Sequence, residues 1–179
     1  MNAEKIERET VNWYKERYEK KGKYIDSLLK DPEVLFQVFA YDRALIKALS
    51  AINIDIESAR ILDVGCGGGS LINFIRLGFP PENIVGIDIQ KERIEEAKRR
   101  FPNIKFVHGD ASKMQFNDES FDIVTELTVF VQITDDGSAT SIANEMIRVT
   151  KIWGYIILVD WRYSKPWDKS YKGMSQRRD

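Results

Sequence analysis

Upstream of residue 60 the apolar positions recur at helical spacing; downstream, short apolar runs alternate with helical stretches. Val11, Tyr14 and Tyr18 share one face of a charged segment, which predicts an amphipathic helix over 3–21 stopped by Gly22. A second use for its tyrosines is a lid over a ligand. Asp31-Pro32-Glu33 reads as a helix start, with a capping acid and a proline in the first turn. Leu35, Val38, Phe39, Ala44, Leu45, Ala48 and Leu49 carry that helix to about residue 51. Tyr41 and Arg43 lie on it; Arg43 reads as a solvated charge, with a ligand carboxylate as its other use.

The regular region opens with an apolar run holding one acid, Ile61-Leu62-Asp63-Val64, which enters Gly65-Cys66-Gly67-Gly68-Gly69-Ser70. This predicts a buried strand over 60–64, a tight turn, and a helix over 69–77 broken by Gly78-Phe79-Pro80-Pro81. Further strands are predicted over 84–87, 104–108, 121–125 and 155–159, with helices over 91–100 and 138–150. The charged residues of 91–100 read as a solvated face. Alternating strands and helices imply an α/β fold: a doubly wound, Rossmann-like, mostly parallel sheet with helices on both faces. One domain is expected, with a helical cap over 1–52, a core over 53–161 and a tail over 162–179.

Glycines in the turn permit positive φ and expose bare backbone to a ligand. Asp63, just before them, points to a ligand with a cationic end, because an anion-binding loop gains nothing from that charge. Four strands finish in or next to an acid, at Asp88, Asp110, Glu126 and Asp160. Strand C-terminal ends line the ligand crevice of a doubly wound sheet. Asp88 lies 23 residues after Gly65, where a carboxylate accepts from a ribose diol. Asp110 suits an exocyclic amine, the N–H of Ala111 or Ser112 a ring nitrogen, and Ile89 a purine face. Together these describe an adenosine pocket with room for a cation beyond the ribose, which fits S-adenosylmethionine.

Composition narrows the classes. Lys+Arg 27 against Asp+Glu 28 leaves no general basic field for nucleic acid or an anionic membrane. Cys66 is the single cysteine, so no internal disulfide forms, and the charged opening residues do not make a signal peptide. The longest apolar runs are too short to span a bilayer. A cytoplasmic protein is the expectation.

The chain resembles the class I S-adenosylmethionine-dependent methyltransferases of the small-molecule type. Asp63-Val64-Gly65-Cys66-Gly67-Gly68-Gly69 is similar to the family's acid-x-Gly-x-Gly-x-Gly loop. Val85-Gly86-Ile87-Asp88-Ile89, Gly109-Asp110-Ala111, Phe121-Asp122-Ile123-Val124 and Glu145-Met146-Ile147-Arg148-Val149 resemble its later motifs. The resemblance implies that Gly65, Cys66 and Gly67 border the methionine part and that Asp63 helps to place its amino group. It further implies Asp88 at the ribose hydroxyls, Asp110, Ala111 and Ile89 at the adenine, and Glu126 and Leu127 closing the pocket. By this reading Asp88→Ala weakens cofactor binding and leaves the fold intact.

Two departures stand out. Lys151-Ile152-Trp153-Gly154 replaces the family's Lys-Pro-Gly-Gly turn, which implies altered packing. The family's sheet closes with two further strands, the last antiparallel; residues 161–179 carry no strand pattern, so strand five is expected to be an edge.

Methyl transfer from a sulfonium needs alignment and a dry pocket more than a strong catalytic residue, and none is assigned. His108, the only histidine, reads as a satisfied strand-end side chain and Cys66 as a small loop residue. Glu126, Thr128 and Gln132 lie where an acceptor would approach. Glu126-Leu127-Thr128-Val129 is not the Asn/Asp-Pro-Pro-Tyr of nucleic-acid amino-methylation, which with the charge balance favours a small-molecule acceptor such as a sugar. The rival readings are a non-catalytic cofactor-binding or assembly module, an NAD(P)-binding oxidoreductase and an RNA methyltransferase. The aromatic and basic residues from Trp161 to Trp167 are the base-stacking feature the last would use.

Overall fold

The computed structural model describes residues 32–69, 71–133 and 135–160, with isolated helical positions between Arg8 and Glu19. Tyr14, Tyr18, the Asp31 cap, Ser70 and the tail from Trp161 lie outside the described residues. The chain divides into two compact units, Met1–Asn53 and Ile54–Asp179. In the first, helix α1 (Pro32–Ser50) begins on its proline; Leu45 is buried, whereas Phe36, Phe39 and Ile46 are exposed.

The second unit is built on a five-stranded sheet of order β3-β2-β1-β4-β5. Its strands are β1 (Ile61–Val64), β2 (Ile84–Asp88), β3 (Lys105–His108), β4 (Phe121–Leu127) and β5 (Thr150–Val159), and every pairing is parallel. The helices are α2 (Ile72–Arg76), α3 (Lys91–Arg100) and α4 (Asp136–Val149). From β1 through β3 the chain steps one way across the sheet; after β4 it steps the other way. Right-handed crossovers in opposite directions put α2 and α3 on one face and α4 on the other. Every residue of β1 and β2 is buried, as strands covered on both faces must be, while β3 and β5 mix exposed with buried positions as outer strands. Among the described residues β5 pairs only with β4.

The structure redraws three element boundaries. Helix α2 starts at Ile72, not at residue 69, because Gly69 has φ 108° and the Phe101 ring lies over its α-carbon. Helix α4 starts at Asp136, earlier than the apolar spacing suggests. Asp135 caps it by accepting the Ser138 N–H at 2.8 Å and its hydroxyl at 2.6 Å, which holds the Asp135 carboxyl down at about 2. Strand β5 begins at Thr150, so the expected turn at 151–154 is an irregular part of the strand. Phe121 pairs with Thr150 and Ile123 with Tyr155, and Trp153 takes φ 67° with its ring exposed.

Candidate functional site

Parallel pairing brings the predicted residues to one sheet edge. Asp63 lies opposite Gly86 on one side and Thr125 on the other; Val64 lies between Ile87 and Glu126. The glycine turn therefore leaves the central strand flanked by the acid ends of β2 and β4, at the point where strand order reverses. Gly65 N–H and Cys66 N–H both donate to Ile87 O, at 2.8 and 3.1 Å, fastening the turn to β2.

Asp88 does more than face the crevice. Its Oδ2 accepts the Gly67 N–H and its Oδ1 the Gln90 N–H, each at 2.8 Å. A carboxylate has about four lone-pair sites, so each oxygen keeps one for a further donor. Asp88 is buried but keeps 8% of its surface exposed.

Asp63 is buried, and its Oδ1 accepts the Thr125 hydroxyl at 2.7 Å. Thr125 is a site residue that sequence reasoning missed; only the lateral pairing of β1 with β4 reveals it. The Cys66 side chain packs on Gly86, where a Cβ would meet Cys66 Sγ at 2.7 Å and Leu71 Cδ1 at 2.8 Å. Burial, then the carboxylates of Asp63 and Asp88, push the Cys66 thiol up and keep it protonated.

Just past β3, Asp110 Oδ1 accepts the Ser112 N–H at 2.8 Å. This bond removes Ser112 from the two expected ring-nitrogen donors and leaves Ala111. Beside it, His108 Nε2 donates to Ile89 O at 3.0 Å, which fixes the main chain of the residue expected against a purine.

Glu126 is completely buried within β4. Its Oε1 accepts the N–H groups of Val129 and Phe130, and its Oε2 has no hydrogen-bond partner among the described residues. The next amide, Val131 N–H, donates to Asp160 Oδ2 at 2.7 Å. Thr128 N–H donates to Val159 O at 2.9 Å, and Gln132 Nε2 to Thr128 O at 2.9 Å. Two strand-end carboxylates thus hold the loop after β4, and it lays Val129 over Gly65, where a Cβ would collide with Val129 Cγ2. Gly65 has φ 73°, so both its backbone and this contact require glycine. Leu127, by contrast, pairs with Val159 and ends β4. On the other side of the turn the Arg93 guanidinium lies against Gly67, so Arg93 is not part of a solvated face. No sequence signal marks Val129 or Arg93. Among the described residues no His, Cys, Asp and Glu are grouped as a metal site needs.

The model of a methyltransferase-domain family matches residues 61–154, which include the turn, Asp88, Asp110 and Glu126. The chain belongs to this methyltransferase family. It is 30% identical over 133 residues to phthiotriol/phenolphthiotriol dimycocerosates methyltransferase 1 of Mycobacterium ulcerans, a match that covers 72% of this chain and 48% of that protein. It is 28% identical over 172 residues to the fatty-acid O-methyltransferase of Mycolicibacterium smegmatis, covering 83% of this chain and 61% of that one. A solved SAM-dependent methyltransferase from Methanosarcina mazei is 27% identical, with a TM-score of 0.54 over 59% of this chain and 53% of that chain. The chain therefore spans only about half to three-fifths of the length of these relatives.

Within this methyltransferase domain the Glu145–Val149 motif does structural work. Arg148 bonds Glu145 at 2.7 Å, Asp118 at 2.6 Å and the carbonyls of Met114 and Phe116 at 3.0 and 2.9 Å, fastening α4 to the segment before β4. The bonded Arg148 guanidinium, with the Met114 N–H, holds the Glu145 carboxyl below its usual range. No helix among the described residues is long and apolar enough to cross a membrane.

Proposed function

We propose that this chain binds S-adenosylmethionine at the turn between β1 and α2 and moves its methyl group to a small-molecule acceptor. The observation that carries this reading is Asp88: one carboxylate clasps the glycine turn through Gly67 and keeps an acceptor site on each oxygen for a ribose diol.

The other residues have consistent places. Ala111 N–H and Asp110 stand at the end of β3 for the adenine edge, with Ile89 as its apolar plate. Asp63, sealed behind the turn, contributes negative potential toward a cationic methionine end, and Glu126 and Leu127, the last residues of β4, close the wall there. The bound cofactor would supply an electrophilic methyl on a sulfonium. This chain's residues would align that methyl with the acceptor and exclude water.

Both relatives above are named as methyltransferases, one of them for fatty acids, which supports a small organic acceptor. The near-balanced charge supports it against nucleic acid.

Titration calorimetry with S-adenosylmethionine, S-adenosylhomocysteine and NADH tests the reading. Micromolar binding of the first two and none of NADH is expected. Preference for NADH would replace this reading with an oxidoreductase, and failure of the adenosyl compounds to bind would end it.

A further inference from the structure

The buried Oε2 of Glu126 has no hydrogen-bond partner among the described residues. We propose that Glu126 is the residue by which this cleft distinguishes a positively charged cofactor from its neutral, demethylated product. The inference rests on the proposed cofactor and goes beyond it by assigning the discrimination to one side chain.

Glu126 lies opposite Val64, one residue from the turn. Through Oε1 it holds Val129, whose side chain rests on Gly65. The carboxyl is thus one layer behind the surface that the cofactor's methionine end would meet. It is completely buried, and Oε2 has no donor among the described residues. The charged groups acting on it are Asp160, past the end of β5, and Asp63 on β1, both of its own sign. The loop offers it main-chain amides and no cation.

A carboxyl so placed resists ionisation: burial raises it most, the two N–H bonds from the loop pull it back, and Asp160 and Asp63 raise it again, to about 7. A sulfonium entering the cleft reverses the balance by supplying the missing positive charge through a medium of low dielectric. The cationic ligand therefore favours ionised Glu126 and a neutral thioether does not. By linkage, affinity for the cation rises with pH up to the carboxyl's free value and is level above it. A one-unit depression of the carboxyl by the cation corresponds to about a tenfold rise in affinity.

The test measures affinities of S-adenosylmethionine and S-adenosylhomocysteine from pH 5.5 to 8 for the wild-type chain and for Glu126→Gln, which keeps an acceptor for the loop amides. For a one-unit depression the ratio of the two affinities is expected to rise about sixfold between pH 5.5 and 7.5 in the wild type, and to lack that rise in the variant. Should the variant not fold, calorimetry of the wild type at pH 6.5 in buffers of different ionisation enthalpy reads proton release directly. More protons are then expected on binding the sulfonium than on binding the thioether. A pH-independent ratio, the same rise in Glu126→Gln, or equal proton release overturns the inference while leaving the cofactor in place. Binding of neither compound overturns the cofactor reading and this one with it.

Discussion

Asp88 Oδ2 and the backbone nitrogen of Gly67 are joined by a 2.8 Å hydrogen bond across 21 residues of sequence. The acid expected to meet a ribose is therefore also the clasp of the turn beside it. Function and fold share one side chain here.

That sharing revises the expectation for Asp88→Ala. The substitution removes the acceptor for Gly67 N–H and for Gln90 N–H, both buried. Each stranded donor costs about 1–3 kcal/mol. We expect urea denaturation to show a loss of about 2–4 kcal/mol, together with at least about tenfold weaker S-adenosylhomocysteine binding. Unchanged stability would mean that other acceptors serve the turn.

Glu126 predicts a pH dependence of stability. Its folded value of about 7 lies above the ordinary 4.5, so the folded chain binds more protons than the unfolded one in that interval. The corresponding stability is fully present below pH 4.5 and is lost as pH rises through about 7. The size is about 3 kcal/mol. Wild type minus Glu126→Gln, measured by denaturation at pH 4.5 and 8, cancels the other titrating groups and should fall by about that amount. A constant difference would show that the carboxyl ionises normally.

Gly86 and Cys66 form a packed pair across β2 and the turn. A Cβ at Gly86 would meet Cys66 Sγ at 2.7 Å and Cys66 Cβ at 2.9 Å. Gly86→Ala should therefore cost about 1–3 kcal/mol by overpacking. Cys66→Ala, which removes the sulfur and leaves its Cβ, should recover part of the loss. Additivity of the two changes in a double-mutant cycle would disprove the contact.

The same contact makes Cys66 inert. With its thiol buried and its ionisation opposed by Asp63 and Asp88, alkylation by iodoacetamide at pH 8 should be slow in the native chain and fast in urea. Equal rates in both would contradict the burial.

How far the sequence reached depends on the kind of interaction. Strand 121–125 and helix 91–100 were legible because apolar period is a local property that burial enforces. The acids at 88, 110 and 126 were legible as strand-end groups, but not their partners. Asp110 spends an oxygen on Ser112, Glu126 one on two loop amides, and Asp160 one on Val131. Reading Asp110 and Glu126 as ligand contacts alone overlooked the main-chain donors that a sharply turning loop must satisfy.

The amino-acid order by itself determined the alternation of strands and helices, the glycine turn after the first strand and the acids that follow it, because each is written in neighbouring residues. Only the tertiary structure decided that Thr125 serves Asp63, 62 residues away, that Asp160 serves Val131, 29 away, and that Val129 covers Gly65. Those meetings follow from the sheet placing β4 between β1 and β5. Lateral strand order is set by packing among distant segments, and no local period records it.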